Sequence, residues 1–253
     1  MLKLLVNGLN GQMGHAVLRI LPQFADRIEL ACGVDPTGGS FDVPVYPNAA
    51  SIETPFDVAI DFSIPRATME ILSYCVEKKK PIVICTTGLE GEQIEAIETA
   101  SKVIPVFRSG NMSLGINLLR TLCRQARQTL GAGFDVEIIE THHNRKIDAP
   151  SGTAKMLAES IASASEQEMH CVYGRHASNH RRERNEIGIH SLRGGTIVGE
   201  HEVLFLGEDE AVTLKHQAFS KGVFANGALR AAEFLNGKPA GLYDMDDLVG
   251  TLI

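Results

Sequence analysis

The chain has 253 residues, of which 44% are hydrophobic and 22% charged, and its formal net charge is −7 at pH 7. It is long enough for one large domain or two smaller ones, and its acidic charge argues against a general nucleic-acid-binding function. No run of about 18 apolar residues is present, so we expect no membrane partner. The five cysteines are odd in number, widely spaced and without a CxxC pair, which favours reduced thiols in a cytoplasmic protein.

The first half of the chain alternates short apolar segments with segments of helical composition. The segments typical of buried strands are LKLLVNG, IELACGVDP, FDVAIDFS, PIVICTTG and KVIPVFRSG, and those typical of helices include PRATMEILSYCVEKKK and GEQIEAIETASK. Strands and helices that alternate in this way form βαβ units. We therefore predict a parallel sheet with helices on both faces.

The pattern changes after about residue 113. A longer helix, GINLLRTLCRQARQTL, is followed further on by three strand-like segments, EIGIHSLRGG, TIVGEHEVLFLG and DEAVTLKHQAF. Strands that follow one another directly predict an antiparallel or mixed sheet, distinct from the first. The tail, FANGALRAAEFLNGKPAGLYDMDDLVG, is predicted to return to helix. The basic stretch at 180–184 has acidic neighbours and no aromatic residues, so we interpret it as a solvated loop, the alternative being polar contacts with substrate or with another subunit.

A glycine loop follows the first predicted strand. In VNGLNGQMG, Gly8, Gly11 and Gly14 are spaced G-x-x-G-x-x-G and open a helix. Such a loop allows a pyrophosphate to approach the backbone and the amides of the helix N-terminus. The acid Asp35, about 20 residues further on, is placed to bind a ribose hydroxyl. The loop alone could be a structural turn, but with Asp35 it predicts a dinucleotide site.

The same region bears on the choice between NADH and NADPH. A 2′-phosphate is bound by a nearby arginine or lysine. The segment PTGGSFD after Asp35 has no basic residue, and the loop carries Gln12. We therefore predict that NADH is preferred, with NADPH possible. The turns CTTG (85–88) and SGNM (109–112) follow other parallel strands and are candidates either for a nicotinamide pocket or for ordinary polar turns.

The stretch VEIIETHHNRKIDAPSGTAKMLAESI (136–161) concentrates histidines, a lysine and a helix start. If VEIIETHH is a strand, period two places Val136, Ile138, Glu140 and His142 on one face, and His143 on the other unless the strand has ended. Lys146 would be about 13 Å from His142 in an extended chain. For both to act together, the segment NRKID must curl back.

The segment PSGT then begins a predicted helix. Ser151 is a favoured N-cap, and Gly152 allows a ligand to approach the first amides, where the helix dipole is positive. A carboxylate is the anion that suits this position, and a histidine near neutral pKa is a suitable proton source. The plain alternative is a capped helix after a polar loop with solvated histidines. A zinc site is disfavoured, because His142 and His143 are adjacent and no HExxH motif or nearby cysteine completes a ligand set.

These motifs resemble the dihydrodipicolinate reductase (4-hydroxy-tetrahydrodipicolinate reductase) family. The resemblance is carried by ETHHNRKIDAPSGTA and, in the expected order, by NGLNGQMG, DFSIPRAT, CTTGL, GNMSLGIN, IGIHSLRGGTIVGEHEVLF and FANGALRAAEFLNGKPAGLYDM. It implies a Rossmann-type dinucleotide domain, 1–113, completed by 221–253. It also implies an inserted α+β domain, 114–220, that binds substrate and builds a homotetramer. The implied reaction is hydride transfer from NAD(P)H to a cyclic dicarboxylate imine, which gives tetrahydrodipicolinate for lysine and diaminopimelate biosynthesis.

The resemblance also implies roles for individual residues. His142 would be the proton donor and acceptor, Lys146 a second proton donor, and the substrate carboxylates would be bound by His143, Gly152 and Thr153. The residues that would line the cofactor are Gly8, Leu9, Asn10, Gly11, Gln12, Met13, Asp35, Cys85, Thr86, Thr87, Ser109, Gly110, Asn111 and Met112.

The chain departs from the family pattern at three positions. Gln12 stands where an arginine is common, Pro36 where some members have an arginine, and Lys221 where an arginine is common. The first two departures support the prediction of NADH preference, and the third leaves any bidentate contact there in doubt.

Two other functions fit part of the pattern. An amino-acid dehydrogenase of the same two-domain type would share the glycine loop, and so would a non-enzymatic dinucleotide-binding protein. Neither function needs the His-His-x-x-Lys segment followed by Ser-Gly-Thr, so the reductase is the favoured interpretation.

Overall fold

A computed structural model of the protein describes residues 1–176 and 179–251, and these residues divide into two compact units. Unit 1 comprises Met1–Leu114 together with the chain from Lys221 onward, and unit 2 comprises Gly115–Ser220. The predicted domain ranges also include residues 177, 178, 252 and 253, which lie outside the described part. Within that part, no helix is both long and apolar enough to cross a membrane.

The strands, in chain order, are β1 Leu2–Asn7, β2 Ile28–Val34, β3 Val45–Tyr46, β4 Val58–Asp61, β5 Ile82–Ile84, β6 Pro105–Arg108, β7 Asp135–His142, β8 His170–Tyr173, β9 Glu186–Arg193, β10 Gly199–Leu206, β11 Ala211–Ala218 and β12 Gly241–Tyr243. The α-helices are α1 Gln12–Ile20, α2 Pro65–Lys78, α3 Glu92–Ser101, α4 Leu114–Leu130, α5 Gly152–Ser163, α6 Gly222–Leu235 and α7 Met245–Gly250.

Unit 1 contains a seven-stranded sheet in which every pairing is parallel, in the order β3-β2-β1-β4-β5-β6-β12. Successive residues of β1 pack on opposite faces: Leu4 lies in the core that includes α1 and α6, and Leu5 in the core that includes α2 and α3. Both faces are therefore covered, which explains why the strands are continuously apolar. The predicted Rossmann-type parallel sheet is confirmed, and its strand order reverses between β1 and β4, where such sheets bind ligands.

Three short strands were not predicted, and in one of them the prediction was wrong. The strand β12 lies in the tail that was predicted to be helical, and it pairs with β6 at the edge of the first sheet. The two-residue strand β3 forms the opposite edge, and β8 forms an edge of the second sheet. Such short edge strands carry too few residues to give a clear alternation of apolar and polar positions.

Unit 2 contains a five-stranded sheet in the order β11-β10-β7-β9-β8. The pairings of β10 with β11 and β7 are antiparallel, whereas β9 is parallel to both β7 and β8, so the predicted mixed sheet is confirmed. Along β7 and β10, buried residues alternate with partly exposed ones. The buried face, which includes Ile138, Val203 and Phe205, packs in one core with residues of α4 and α5. His142 ends β7 on this buried face.

Candidate active site

The glycine loop of unit 1 connects β1 to α1 by close backbone packing. Gly8 has φ +82°, and a Cβ there would overlap the carbonyl group of Phe62. A Cβ at Gly14 would meet the backbone of Leu9. Gly11 precedes α1, which has no side-chain cap in the described structure. The amides of the first helical turn and the positive end of its dipole therefore suit an anion, as the sequence predicts.

Asp35 follows β2 and holds the glycine loop in place. Its carboxylate accepts hydrogen bonds from the Asn10 amide at 3.0 Å and from the Thr37 amide and hydroxyl at 3.0 and 2.6 Å. The side chain of Asn10 also donates to the Thr37 hydroxyl at 2.9 Å. The predicted ribose-binding acid is thus buried and oriented by the same loop that would bind the pyrophosphate.

Lys221, at the start of the C-terminal segment, donates a hydrogen bond to the Gln12 side chain. The two residues are 209 positions apart in the chain, and no sequence pattern predicted their contact. A cationic side chain therefore lies beside the first turn of α1. This proximity bears directly on how unit 1 would bind a phosphate group.

The turn that follows β5 is organised around a buried acid. Asp61, with no exposed surface, accepts hydrogen bonds from Thr86 Oγ1 at 2.8 Å, Asn7 Nδ2 at 2.7 Å and Thr68 Oγ1 at 2.6 Å. The Thr86 hydroxyl is thus directed into the protein, while Thr87 is exposed. Sequence reasoning did not single out Asp61, although an acid that ends an apolar strand was the available signal.

Cys85 and the 109–112 turn complete the predicted cofactor residues. Burial, with the Asp61 carboxylate as a second cause, holds the pKa of the Cys85 thiol well above its ordinary value, so the thiol stays protonated. In the second turn, Ser109 Oγ donates to Asn111 O at 2.9 Å, Gly110 is exposed, and Met112 is buried in the core. Both turns follow parallel strands of one sheet, so they lie at the same edge as the glycine loop.

His142 in unit 2 is buried beside a carboxylate. It is 8% exposed, and its Nδ1 lies 2.5 Å from Oε2 of the fully buried Glu140. Glu140 is ionised, so Nδ1 carries the proton in this bond and Nε2 is the nitrogen left for chemistry. Gly199 lies next to that nitrogen, since a Cβ at this position would be 3.1 Å from Nε2.

Glu140 accepts further hydrogen bonds besides the one from His142. Arg193 binds it in a bidentate manner, with Nη1 2.9 Å from Oε2 and Nη2 2.7 Å from Oε1, and the Ser151 amide donates to Oε1 at 3.1 Å. Burial favours the neutral carboxyl, but the hydrogen bonds from Arg193, Ser191 and His142 outweigh it and lower the pKa of Glu140 to about 2. The carboxylate is therefore charged throughout the physiological range.

The charge state of His142 reflects opposing influences. Burial lowers its pKa, the Glu140 carboxylate raises it, and the charges of Lys146 and Arg193 lower it again, with a net result below the ordinary histidine value. His142 is therefore mainly neutral at neutral pH. The effect of Lys146 also indicates that its charge lies within electrostatic range of the ring.

His201 lies beside His142 and contacts the start of α5. The two rings form an edge-to-face pair with centroids 5.2 Å apart, and His201 Nε2 lies 3.0 Å from Ser151 Oγ. Burial, followed by the charge of His142, lowers the pKa of His201 to about 3. His201 thus stays neutral and polar next to the buried carboxylate.

The loop after β7 turns back, which is the arrangement that His142 and Lys146 would need in order to act together. The His143 amide donates to Ile197 O at 2.7 Å, and the Lys146 amide donates to His143 O at 3.1 Å. The Lys146 ammonium forms an ion pair with Asp148 at 2.8 Å. Strand β7 ends at His142, so the neighbouring histidine belongs to this loop.

The α5 helix begins as predicted. Ser151 is the N-cap, and its Oγ accepts a hydrogen bond from the Ala154 amide at 3.1 Å. Gly152 is exposed and Thr153 half-buried in the first turn. The predicted apolar face of the helix, Ala154, Leu157, Ala158 and Ile161, is fully buried. The structure thus brings the helix start and His142 together through Glu140.

Sequence reasoning missed Glu140, Arg193 and His201 as members of this site. A signal was present for two of them, because Glu140 shares a strand face with Val136 and Ile138, and His201 shares one with Val203 along β10. No comparable signal marked Arg193, since its contact with Glu140 depends on the pairing of β7 with β9.

Comparisons with known proteins agree over nearly the whole chain. Residues 2–112 match the model of a family described as dihydrodipicolinate reductase, N-terminus, and residues 115–249 match the model for the C-terminus of the same family. The 4-hydroxy-tetrahydrodipicolinate reductase of Clostridium tetani is 45% identical over 99% of this chain and 98% of its own length. The enzyme of the same name from Caldanaerobacter subterraneus is 47% identical, with 98% of each chain covered.

Solved structures show the same similarity. A dipicolinate-bound dihydrodipicolinate reductase from Paenisporosarcina sp. TG-14 superimposes with a TM-score of 0.79 at 26% identity, covering 96% of this chain and 97% of the other. A probable dehydrogenase from Thermotoga maritima, at 12% identity and a TM-score of 0.60, shares the fold.

Proposed function

This chain belongs to the dihydrodipicolinate reductase family, and from that premise we propose how its residues perform the reaction. The chain is an oxidoreductase that reduces 4-hydroxy-tetrahydrodipicolinate, or dihydrodipicolinate, to tetrahydrodipicolinate in lysine and diaminopimelate biosynthesis. A pyridine nucleotide supplies the hydride. The roles of individual residues, the preferred nucleotide, the assembly and the cellular location are our proposals.

Unit 1 is the proposed nucleotide-binding domain. The proposal is supported by Gly8 and Gly14, where a side chain would collide with backbone, and by the uncapped start of α1. Gly8 to Met13 would bind the pyrophosphate, and Asp35 the adenosine ribose. The turns Cys85–Thr87 and Ser109–Met112 would face the nicotinamide from the carboxyl ends of β5 and β6.

We propose that NADH is preferred over NADPH. The buried Asp35 carboxylate suits a ribose 2′-hydroxyl and repels a 2′-phosphate, and the following residue, Pro36, supplies no cation. Lys221 lies beside Gln12 at the first turn of α1, a position that suits the pyrophosphate common to both nucleotides. Steady-state kcat/KM values for the two nucleotides test the proposal, and equal values would contradict it.

Unit 2 is the proposed substrate-binding domain. The first amides of α5, at Gly152 and Thr153, would bind a substrate carboxylate, with His143 and Lys146 supplying further contacts. A dicarboxylate substrate explains why a helix N-terminus directly follows a loop that carries a lysine. The structurally similar enzyme from Paenisporosarcina is bound to dipicolinate, itself a dicarboxylate, which supports this assignment.

His142 is the proposed proton donor. Hydride addition to the conjugated imine leaves an enamine-like anion, which becomes product when a proton is added to carbon. Protonated His142 would deliver this proton from Nε2, since Nδ1 is engaged by Glu140 at 2.5 Å. That single contact carries the proposal. Lys146 would act as a second donor and a carboxylate contact.

The test of the proposed function is nucleotide oxidation with freshly generated product of the preceding synthase as substrate. We expect turnover by the wild-type chain and a large loss of kcat in His142→Gln, with the Kd for NADH unchanged because the nucleotide binds unit 1. A His142→Gln variant with the kcat of the wild type would remove His142 from the proposed role.

We also propose that the protein is a cytoplasmic homotetramer assembled through unit 2. The sheet face opposite α4 and α5 carries apolar side chains that are exposed or partly exposed, namely Ile139, Leu192, Leu204 and Leu206. All five cysteines are free thiols, as expected in a reducing compartment. Light scattering after size exclusion should give four times the 27.4 kDa chain mass, and a monomer mass would contradict the assembly.

A further inference from the structure

We propose that Glu140 is a positioning residue whose single carboxylate holds the proton donor and the substrate-binding helix start as one unit. One of its oxygens orients the ring of His142, and the other holds the amide that precedes α5. The proposal rests on the proposed role of His142 and extends it to a residue that does not itself touch the substrate.

The geometry of the carboxylate carries the inference. Oε2 lies 2.5 Å from His142 Nδ1, and Oε1 lies 3.1 Å from the Ser151 amide. His142 ends β7 and Ser151 caps α5, with an eight-residue loop, 143–150, between them. Without a common anchor, movement of this loop would change the distance between the acid and the α5 amides. Glu140 fixes both ends of the loop to one fully buried group.

Arg193 keeps that anchor charged and fixed in orientation. Its two terminal nitrogens contact both carboxylate oxygens, a bidentate arrangement that defines the plane of the carboxylate. Without Arg193, the buried carboxylate would depend on the imidazolium of His142 for its countercharge. The ion pair therefore makes Glu140 a permanent acceptor for both His142 Nδ1 and the Ser151 amide.

A permanent acceptor at Nδ1 has two chemical consequences for His142. It selects the tautomer with the proton on Nδ1, which leaves Nε2 as the nitrogen that exchanges protons. It also stabilises the imidazolium that must form before a proton can be donated. An amide at position 140 would fill the same space but would supply neither effect fully, because its oxygen and nitrogen have fixed and different roles.

The charges around His142 come from four elements, and their signs make the proposal testable. Glu140 on β7 is negative, Arg193 on β9 and Lys146 in the loop after β7 are positive, and His201 on β10 is neutral at working pH. Removing the negative charge should lower the pKa of His142, and removing the Arg193 charge should raise it. Two single substitutions should therefore shift the pH profile in opposite directions.

The first experiment compares Glu140→Gln with the wild type over pH. Because donation requires protonated His142, the rate declines as pH rises through its pKa. In E140Q we expect this decline at lower pH, a fall in kcat of roughly 10- to 10³-fold, and KM for NADH within about twofold. In Arg193→Gln the decline should instead move to higher pH.

Glu137→Gln provides a matched control. Glu137 lies on the same strand but the opposite face, where it contacts Arg182 at 3.1 Å and His190 at 2.8 Å. This substitution also replaces a glutamate and removes a contact with an arginine, but position 137 is remote from the ring of His142. We expect E137Q to keep the kcat and the pH profile of the wild type.

The outcomes separate this proposal from the one on which it rests. A wild-type kcat in His142→Gln would show that His142 is not the proton donor and would contradict the proposed function. Impaired His142→Gln together with wild-type kcat in E140Q would overturn the positioning role alone. A lower melting temperature in E140Q with an unmoved pH profile would reduce Glu140 to a structural role and would equally overturn it. Opposite shifts in E140Q and R193Q would support it.

Discussion

Lys146 Nζ lies 2.8 Å from Asp148 Oδ1, so the proposed second proton donor is already ion-paired within its own loop. The hydrogen bond from Lys146 is also the main reason that the pKa of Asp148 is lowered. A substrate carboxylate that binds Lys146 must therefore compete with a resident carboxylate. The loop thus tunes how strongly the lysine attracts an anion.

The first prediction is that Asp148→Asn tightens substrate binding. The Asp148 side chain is 60% exposed, and exposed ion pairs contribute about 0.2–1 kcal/mol, so KM for the substrate should fall by at most roughly fivefold. Initial rates at fixed NADH check this. The removal of the lysine in Lys146→Gln should act in the opposite direction, and an unchanged KM in both variants would show that Lys146 does not bind substrate.

A second prediction concerns His142 as proton donor. His142→Gln should lower kcat by about 10²–10⁴-fold, the usual contribution of a general acid. His190→Gln is the matched control, because His190 lies on β9 of the same unit with its ring 2.8 Å from Glu137 on the other sheet face. The rate of nucleotide oxidation in a single turnover, measured for both variants, checks this prediction. Equal losses in both variants would point to a general effect on the fold of unit 2.

The third prediction is a separation of the two pH profiles of the wild-type enzyme. Burial lowers the pKa of His142 in the free protein, and two bound substrate carboxylates should raise it again by favouring the imidazolium. The decline in kcat, which reports the substrate complex, should therefore lie at higher pH than the decline in kcat/KM. Profiles that decline at the same pH would indicate that the substrate carboxylates do not act on this ring.

The fourth prediction tests nucleotide preference through Pro36→Arg. An arginine after Asp35 could bind a 2′-phosphate, and a charge-assisted hydrogen bond of about 1.5–3 kcal/mol should raise kcat/KM for NADPH roughly 10- to 100-fold. Pro22→Arg adds the same charge at an exposed position beyond the far end of α1 and should leave the ratio unchanged. If both variants improved NADPH use alike, the effect would be long-range electrostatics.

A fifth prediction concerns stability in acid. Burial in the folded state lowers the pKa of His201 to about 3, well below its ordinary value of 6.5, so the folded state favours the neutral ring. This contribution to the free energy of unfolding is complete above pH 6.5 and is lost as the pH falls toward 3. In urea titrations at several pH values, the free energy of unfolding of His201→Gln should fall less between pH 6.5 and pH 4.5 than that of the wild type. The free energy of unfolding of His170→Gln, which changes an exposed position on β8, should fall as much as that of the wild type.

Local patterns predicted much of the fold and part of the site. The apolar strands of the first sheet and the N-cap at Ser151 depend on neighbouring residues, so local sequence patterns predicted both. The same patterns left open whether β7 would end at His142. The edge strands β3 and β12 were missed because two or three residues cannot display a period.

Contacts between distant segments could not be predicted in the same way. Lys221 reaches Gln12 only after α6 has joined the core of unit 1, and Arg193 reaches Glu140 only through the pairing of β9 with β7. Glu140 itself was visible as an acid on a buried strand face. The sequence pattern did not show that Arg193 would be the ion-pair partner that stabilises this buried carboxylate.

The order of the two segments of unit 1 in the chain affects how the protein folds during translation. Helix α6 supplies Ala228, Leu229 and Ala232 to the core beneath β1 and β4, yet it is translated after the whole of unit 2. During translation, the first 114 residues are therefore synthesised before their core can be completed. Unit 2, in contrast, has all of its strands as soon as β11 has been synthesised. The inserted unit can fold first, and the nucleotide-binding unit closes only when the C-terminal segment arrives.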